Sequence, residues 1–318
     1  MEGSALMKEI ATGFRVLKKG FFALVQDPGR FGYEHIGVTH GGPMDALAAN
    51  WANRLLDNPA SASVLEITAG GLELEARTNC MIALTGGDLN LTINGRPQVP
   101  WRSVWVCVGD KLKFGYPRLG FRAYLGVKGG FQVKPQLSSC ATVPRDQLGG
   151  VHGNGEPLHE GDMLPVAMQH EEGIARQLPQ RFMPDYSGAL TIHIIPGYQQ
   201  QKFSRSAWQQ LLTQPFELDK RSDRMGARMQ GEAITSPAIE LLSEPLSYGA
   251  VQIPPDGQPI VMLNDRQTLG GYPKVGNILP LDGFALAQRQ PGTRIYFKPI
   301  GLTTAQQQMR RYLRFFGL

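Results

Sequence analysis

The sequence predicts a mainly β protein with a few short helices, and two observations support this fold class. Apolar and polar residues alternate in many short segments, as expected for strands with one buried face. The 318 residues also include 38 glycines and 23 prolines, which favours turns between short strands and is too dispersed for a disordered chain. Many short strands joined by regular turns indicate β-barrels or sandwiches.

Strands are predicted wherever the apolar alternation has period two. Residues 89–93 alternate up to the turn Asn94-Gly95, and residues 104–108 and 112–114 are predicted to pair as a hairpin around Gly109-Asp110. Further strands are predicted at residues 22–26, 64–68, 72–76, 81–85, 122–127, 191–195, 240–242, 251–254, 260–263 and 294–298.

Helices are few but clearly delimited. Asp45 can cap a helix whose apolar residues recur every four positions until Asp57-Asn58-Pro59 ends it. Thr304 can cap a C-terminal helix with one apolar stripe that ends at Gly317. A shorter helix is predicted at residues 204–212.

Two segments interrupt this pattern. Residues 137–162 contain several glycines and few apolar residues, which predicts a long structured loop. Residues 170–186 are polar and contain prolines, and a new strand begins near Leu190. We therefore predict two domains, residues 1–186 and residues 187–318.

Composition excludes several classes of function. The net charge of +5 is scattered, and the densest basic group, Arg310, Arg311 and Arg314, has the spacing of a solvated helix face, so we expect no nucleic-acid binding. No run of about 18 apolar residues occurs, which predicts no membrane span. Three widely spaced cysteines favour a reducing, cytoplasmic location. The six histidines never fall at metal-motif spacing, so no metal site is predicted.

One segment has the pattern of a functional site. The apolar residues 259–263 lead into five consecutive polar residues, 264–268, and then into Gly270-Gly271-Tyr272-Pro273-Lys274. Strand ends that present carboxylate, guanidinium and amide groups beside glycines are common positions for sites. An ordinary polar turn explains the glycines but not the five polar side chains.

Two further segments place arginines beside glycines. Arg30 follows the turn Asp27-Pro28-Gly29, where a guanidinium can meet a carboxylate or phosphate. Residues 221–228 contain three arginines around Met225-Gly226, which fits an anion-facing ridge. A local ion pair between Asp223 and Arg224 is an equally good explanation.

Together these segments resemble the KipA-like family, also called allophanate hydrolase subunit 2. Each motif alone is weak, but their shared order along nearly the whole chain is specific. The motifs that carry the resemblance are Asp27-Pro-Gly-Arg-Phe-Gly-Tyr33, Gly37-Val38, Met44-Asp45, Leu65-Glu-Ile-Thr68, Tyr124-Leu-Gly-Val-Lys-Gly-Gly130, Pro196-Gly197, Ser222-Asp-Arg-Met-Gly226, Asp265-Arg-Gln-Thr268 and Gly270-Gly-Tyr-Pro-Lys274.

The resemblance implies a pair of cyclophilin-like β-barrel domains and one component of an ATP-dependent 5-oxoprolinase. Such a complex opens 5-oxo-L-proline to L-glutamate while ATP is hydrolysed to ADP and phosphate. The implied partners are two further proteins of the complex, one KipI-like and one LamB/YcsF-like. The sequence contains no GxxxxGK[ST] phosphate loop, so we expect ATP to be bound by or shared with these partners.

Under this hypothesis the site must hold an anionic carboxylate and stabilise oxyanion charge. Asp265 is assigned to proton transfer or to orientation of the substrate N–H, and Lys274 to charge neutralisation. The predicted catalytic residues are Asp265, Lys274 and Asp223, and the predicted substrate-binding residues are Arg30, Arg224, Arg266, Gln267, Thr268 and Tyr272.

Two other functions are open at this point. The first is a biotin-dependent carboxyltransferase of the urea carboxylase type, with the biotin carrier supplied by another chain. The second is a non-catalytic antagonist of a KipI-like kinase inhibitor, which would depend on an exposed apolar patch rather than on a polar cleft.

Overall fold

The computed structural model describes residues 12–169, 172–237 and 241–318. Within these ranges the chain forms many short strands and only four α-helices, which confirms the mainly β fold class with a few short helices. No helix in the described ranges is long and apolar enough to cross a membrane.

The N-terminal half contains eleven strands and one α-helix within its described residues. Their bounds are β1 (Gly13–Lys19), β2 (Phe22–Gln26), α1 (Ala46–Leu55), β3 (Val64–Thr68), β4 (Leu72–Ala76), β5 (Cys80–Asp88), β6 (Thr92–Ile93), β7 (Arg96–Pro97), β8 (Arg102–Val106), β9 (Lys111–Lys113), β10 (Leu119–Val127) and β11 (Met163–Pro165).

These strands form two sheets that share one hydrophobic core. The six-stranded sheet has the order β11-β1-β4-β9-β6-β7, and the five-stranded sheet has the order β2-β3-β10-β5-β8. Phe14 and Leu112 from the first sheet and Leu65 from the second belong to that core. The outer face of the five-stranded sheet is covered by α1, through Ala48 and Ala52, so β3 is buried along its whole length.

One predicted pairing in this half is wrong. Residues 104–108 and 112–114 were expected to form a hairpin, but β8 pairs with β5 whereas β9 pairs with β4 and β6. Gly109 takes a φ of 88°, and the turn carries the chain from one sheet to the other. The Asn94-Gly95 turn does close a hairpin, between β6 and β7.

The C-terminal half contains nine strands and three α-helices within its described residues. Their bounds are β12 (Leu190–Pro196), α2 (Arg205–Thr213), β13 (Phe216–Leu218), β14 (Gly226–Gln230), β15 (Glu244–Pro245), β16 (Ala250–Gln252), β17 (Ile260–Met262), β18 (Leu269–Gly270), β19 (Lys274–Ile278), α3 (Pro280–Leu286), β20 (Arg294–Pro299) and α4 (Leu302–Phe316).

Seven of these strands close a barrel in the order β12-β19-β16-β17-β14-β13-β20, and the parallel pairing of β12 with β20 completes it. Its interior is a second hydrophobic core, which includes Phe216, Val261 and Phe297. β15 and β18 form a separate two-stranded sheet. The strand predicted at residues 240–242 begins outside the described residues.

The helix predictions are confirmed, with one corrected boundary. The Asp45 carboxylate accepts from the Ala48 amide at 3.0 Å and caps α1, and Ser204 caps α2 in the same way. Thr304 is not the cap of α4, because this helix begins at Leu302 and its N-cap is Gly301, three residues earlier. Glycine is tolerated at that position without a side-chain bond.

The two halves are joined by side chains that bond to groups of the opposite half. The Gln288 carboxamide accepts from the Arg122 amide and donates to the Asp45 carboxylate, at 2.9 and 2.8 Å. Asn264 donates to the Gly41 carbonyl at 3.1 Å. The domain boundary after residue 186 stays a prediction.

Candidate functional site

A buried ion-pair network lies where the two halves meet. Arg224 donates from Nε and Nη2 to both carboxylate oxygens of Asp265, at 2.7 and 2.9 Å. Its Nη1 donates to Glu66 at 2.6 Å, and its Nη2 also donates to the Gly42 carbonyl at 2.8 Å. The three charged side chains are at most 7% exposed. The network therefore uses most of the donors of Arg224 within the chain.

The barrel brings the two sequence-predicted motifs together. β14 and β17 are antiparallel neighbours, and the ladder is extended by a bond from the Asp265 amide to the Arg224 carbonyl at 2.9 Å. The Asp223 carboxylate accepts from the Met225 and Gly226 amides and fixes the turn before β14. Pairing of Arg224 with Asp265, rather than with its neighbour Asp223, follows from this register.

Burial and ion pairing shift the pKa values of these charged groups in opposite directions. Burial disfavours the charged form of Arg224, but Asp265 and Glu66 outweigh burial and raise the pKa of its guanidinium. Burial raises the pKa of the Asp265 carboxyl group, and the Arg224 guanidinium opposes that rise. A bidentate pair of this kind fixes two loops in one geometry.

Beside this network is a cavity of about 450 Å³ that we call the arginine cavity. Its size lies within the range of about 300–1,000 Å³ that is typical of small-molecule pockets. Phe21, Phe121 and Met225 contribute apolar walls. Its charged lining is mostly cationic and consists of Arg122, Arg145, Lys220, Arg224, Arg289, Asp223 and Asp265. Such a lining attracts anions.

Arg122 and Arg289 have N–H groups without a partner among the described residues. Arg122 is 8% exposed and its Nε lies 4.0 Å from Glu66, beyond hydrogen-bond distance, although its Nη1 donates to the Ala287 carbonyl. Arg289 is 5% exposed, and neither its Nε nor its Nη1 has a partner in the described ranges. Burial lowers the pKa of both guanidinium groups, with Glu66 opposing the shift at Arg122 and Asp185 at Arg289.

Buried guanidinium groups with N–H donors that lack a partner are costly, because a charge removed from water needs compensating bonds. Groups of this kind are typical of binding sites, where a ligand supplies the missing acceptors. In the arginine cavity the missing acceptors correspond to a carboxylate, a phosphate or a developing oxyanion.

A second cavity, of about 350 Å³, lies on the other side of the junction beneath α4. We call it the helix-covered cavity. Arg266, His40 and Asn264 supply its polar groups near the junction, and Met309 and Tyr312 of α4 cover it. This cavity contains the predicted Arg266 but none of the other predicted site residues.

Within it, Arg266, His40 and Glu34 form a hydrogen-bonded chain. Arg266 Nη2 lies 3.3 Å from His40 Nδ1, and His40 Nε2 bonds to the Glu34 carboxylate. A guanidinium can only donate, so His40 Nδ1 accepts and Nε2 carries the proton. Burial and the Arg266 charge lower the pKa of His40, against the effect of Glu34. These hydrogen bonds favour one tautomer of the neutral imidazole, with the proton on Nε2.

The remaining predicted residues lie elsewhere on the C-terminal barrel. Gln267 and Tyr272 line a surface hollow of about 230 Å³, together with Asp223. The Thr268 carbonyl accepts from the Leu246 amide. Lys274 Nζ lies 3.3 Å from the Glu244 carboxylate and 3.0 Å from the Pro245 carbonyl. Lys274 therefore pairs with Glu244, whereas Asp265 pairs with Arg224.

Arg30 is buried beneath the long loop rather than presented to a ligand. It is 1% exposed and donates to the backbone carbonyls of Gln136, Ser139 and Ala141, at 3.1, 3.2 and 2.7 Å. A Cβ at Gly149 would come within 2.5 Å of its guanidinium and 2.0 Å of the Ala141 carbonyl. Arg30 thus holds the loop in place through these carbonyls, and the substrate-binding role assigned to it from the sequence stays a prediction.

Sequence reasoning missed Glu66, Arg122 and Arg289 as parts of the junction. Glu66 and Arg122 each interrupt an apolar strand, β3 and β10, at positions that the structure buries. A charged residue inside such a strand is a usable signal, because it needs a buried partner. Arg289 lies just after α3 among polar residues and carries no comparable signal.

Comparisons with known proteins agree with this fold. The family model described as "carboxyltransferase domain, subdomain A and B" matches residues 36–299. The chain is 35% identical to the C subunit of the 5-oxoprolinase of Haemophilus influenzae, in a match that covers 91% of this chain and 92% of that protein.

Two solved structures also match it. The Kluyveromyces lactis urea carboxylase superposes with a TM-score of 0.86 at 28% identity, covering 94% of this chain and 28% of that one. The protein TTHA0988 superposes with a TM-score of 0.82 at 34% identity, covering 91% of this chain and 56% of that one. The chain thus spans little more than half of one of these proteins and less than a third of the other.

The matching family model covers most of both cores and their shared polar junction, and it assigns this fold to the carboxyltransferase-type β proteins. The chain belongs to the carboxyltransferase-domain family with subdomains A and B, and the resemblance to KipA-like proteins is thereby confirmed.

Proposed function

We propose that this chain is the C subunit of an ATP-dependent 5-oxoprolinase and that it works only within a complex. Its identity to the C subunit of the Haemophilus influenzae enzyme over nearly the whole of both chains supports this function. The proposed partners are a KipI-like protein and a LamB/YcsF-like protein. The proposed reaction converts 5-oxo-L-proline, ATP and two water molecules to L-glutamate, ADP and phosphate.

The arginine cavity is the observation that carries this proposal. The substrate combines a small apolar ring with a carboxylate, and the cavity combines apolar walls with the unpartnered groups of Arg122 and Arg289. Charge-assisted bonds to such groups contribute about 1.5–3 kcal/mol each. We assign Arg122 and Arg289 to the substrate carboxylate or to oxyanion charge that develops when the lactam oxygen is phosphorylated.

The ion-pair network has a supporting role in this proposal. Both oxygens of Asp265 accept from Arg224, so we assign Asp265 to positioning Arg224 beside the cavity instead of to proton transfer. The roles first assigned to Lys274, Asp223, Gln267, Thr268 and Tyr272 stay predictions. These residues lie on the barrel surface or beside it, where a partner protein could complete a site.

The test is an assay of the reconstituted complex. The chain is purified with its KipI-like and LamB/YcsF-like partners, and phosphate release from ATP is measured with and without 5-oxoproline. We expect release that depends on 5-oxoproline and on all three proteins. Arg289→Gln and Arg122→Gln should each lower kcat/KM for 5-oxoproline by about 10- to 100-fold, equivalent to about 1.4–2.8 kcal/mol.

Arg96→Gln is the matched control, since Arg96 is an exposed arginine on β7, and it should leave kcat/KM unchanged. If no 5-oxoproline-dependent release occurs with all three proteins, the proposed function is wrong. If release occurs but neither arginine variant changes it, the function stands and the assignment of the cavity is wrong.

A second function, biotin-dependent carboxyl transfer, is favoured by the TM-score of 0.86 to the urea carboxylase. The guanidinium groups of the arginine cavity would also suit the carboxylate that biotin carries during carboxyl transfer. Avidin, which sequesters biotin, separates the two functions. Release of phosphate that is insensitive to avidin supports the oxoprolinase, and complete inhibition supports the carboxyltransferase.

A further inference from the structure

The long loop before β11 brings two histidines and an aspartate together. The ligand atoms of His152, His159 and Asp162 all lie within 4.8 Å of one another. His152 Nε2 lies 2.9 Å from an Asp162 carboxylate oxygen, and the two imidazole rings stack with centroids 5.0 Å apart and planes inclined by 28°. The sequence predicted no metal site, because the spacing of these histidines matches no common motif.

The backbone around these three side chains is fixed by the fold. Leu158 is 3% exposed in the N-terminal core, and its amide donates to the Ala23 carbonyl at 3.0 Å. Val151 packs against the same core next to His152. Asp162 is tied to β1, since its carbonyl accepts from the Val16 amide at 2.9 Å. The ligand-bearing residues are therefore held by buried neighbours, although the imidazoles themselves reach the surface.

The Asp162 carboxylate is already oriented toward both histidines. One of its oxygens accepts from the His159 amide at 2.7 Å as well as from the His152 ring. Its side chain is 13% exposed and that of His152 is 28% exposed. A small ion could reach the group from solvent, and the imidazoles can rotate without disturbing the core.

We propose that His152, His159 and Asp162 bind one divalent transition-metal ion of the zinc class. Two imidazoles and one carboxylate are a ligand set typical of Zn²⁺, Co²⁺ or Ni²⁺, whereas Mg²⁺ and Ca²⁺ require oxygen ligands. Metal–ligand bonds of about 2.0–2.2 Å place the donor atoms of a tetrahedral site about 3.4 Å apart. The ligand atoms of His152, His159 and Asp162 now lie within 4.8 Å of one another, and small rotations of the two imidazoles would bring them to that spacing.

Such an ion would fasten the loop to the start of β11. The same loop supplies Arg145 and Pro144 to the arginine cavity and the carbonyls that hold Arg30. The metal site lies outside that cavity, so the proposal concerns the stability of the loop and does not depend on the reaction that the complex catalyses.

The experiment uses the full chain without an affinity tag, because a polyhistidine tag would itself bind the probe. Binding of Zn²⁺ is measured by isothermal titration calorimetry, and Co²⁺ is used for its visible absorption. We expect one site per chain with a micromolar or lower Kd. His152→Gln and His159→Gln should each weaken binding at least about 100-fold, since loss even of an outer-shell group typically costs about 10- to 100-fold.

His35→Gln is the matched control, since His35 is an exposed histidine in the short 3-10 helix at Glu34–Ile36, and it should bind Zn²⁺ as the unmodified chain does. Thermal unfolding gives a second measurement. Zn²⁺ at about a hundredfold excess over Kd should raise the Tm of the unmodified chain by about 3–6 °C and should not raise that of His152→Gln.

Three results would overturn the proposal. They are millimolar binding, as for an isolated surface histidine; equal binding by the unmodified chain and the His152→Gln/His159→Gln double variant; and a preference for Mg²⁺ or Ca²⁺ over Zn²⁺. Because both imidazoles are exposed, the variants are expected to fold, and circular dichroism spectra matching that of the unmodified chain check this.

Discussion

Arg224 and Arg289 both lie buried at the junction of the two halves, yet their surroundings differ. Arg224 donates to two carboxylates and a carbonyl of this chain. Arg289 has one long contact, of 3.4 Å to the Asp185 carbonyl, and two nitrogen atoms without a partner among the described residues. The comparison indicates that a saturated guanidinium stabilises the fold, whereas an unsaturated one is available to a ligand.

Removal of the Arg224 side chain is the strongest test of this comparison. Arg224→Met leaves Asp265 and Glu66 buried without their cation, and loss of one partner of a buried pair typically costs about 3–5 kcal/mol. Urea unfolding should show a decrease of that size in the free energy of unfolding. Arg176→Ala is the control, because Arg176 and its partner Asp57 are 42% and 61% exposed, and it should cost less than about 1 kcal/mol.

If Arg224→Met does not fold, Arg224→Lys keeps the charge but loses the bidentate geometry, and it should still lower the free energy of unfolding by more than Arg176→Ala does. Equal losses for Arg224→Lys and Arg176→Ala would show that the network contributes no more than a surface pair.

Replacing Arg289 by methionine should change the free energy of unfolding less, and should either leave it unchanged or increase it. Arg289→Met removes a buried charge that lacks a full set of partners in the described ranges, and an apolar side chain of similar length fills the same space. We expect the free energy of unfolding to stay within about 1 kcal/mol or to rise. A loss of about 3 kcal/mol or more in urea unfolding would place Arg289 with Arg224 among the stabilising residues.

The smallest expected effect is the pH dependence of the free energy of unfolding that His40 causes. His40 is the middle member of the hydrogen-bonded chain beside the helix-covered cavity. The pKa of His40 is lowered by burial and Arg266 from the ordinary value of 6.5, so the unfolded chain binds a proton that the folded chain does not. The contribution of His40 is therefore present above pH 6.5 and is lost as the pH falls below it.

We expect the free energy of unfolding to fall more in the unmodified chain than in His40→Gln as the pH is lowered from about 7 to about 5. The comparison with His40→Gln removes the contribution of the carboxyl groups, which titrate in both proteins. If the free energy of unfolding depends on pH in the same way in the two proteins, His40 has the same pKa in the folded and the unfolded chain, and the prediction is wrong.

Local sequence patterns predicted the elements of this fold well. The bounds predicted for β2, β3 and β4 agree with the structure, since alternation and turn residues are local properties. Asp45 and Gly317 delimit their helices for the same reason. The hairpin predicted around Gly109 failed, because a turn does not determine which sheet the following strand joins.

The candidate site was predicted in part. Asp265 was identified from the polar residues that follow a strand, and Arg224 from the three arginines around Met225-Gly226. The structure joins the two residues across 41 positions of sequence. Their partner Glu66 and the unsaturated Arg122 and Arg289 were not identified, because the two halves of the chain contribute to the junction separately.

The sequence by itself determined the mainly β class, the principal helices and the family resemblance, because these depend on residue spacing and on ordered motifs. Only the tertiary structure decided which charges are saturated. Whether a guanidinium is paired depends on acceptors far along the chain, as with Glu66 for Arg224. The meeting of His152, His159 and Asp162 likewise depends on how the loop is anchored to β1.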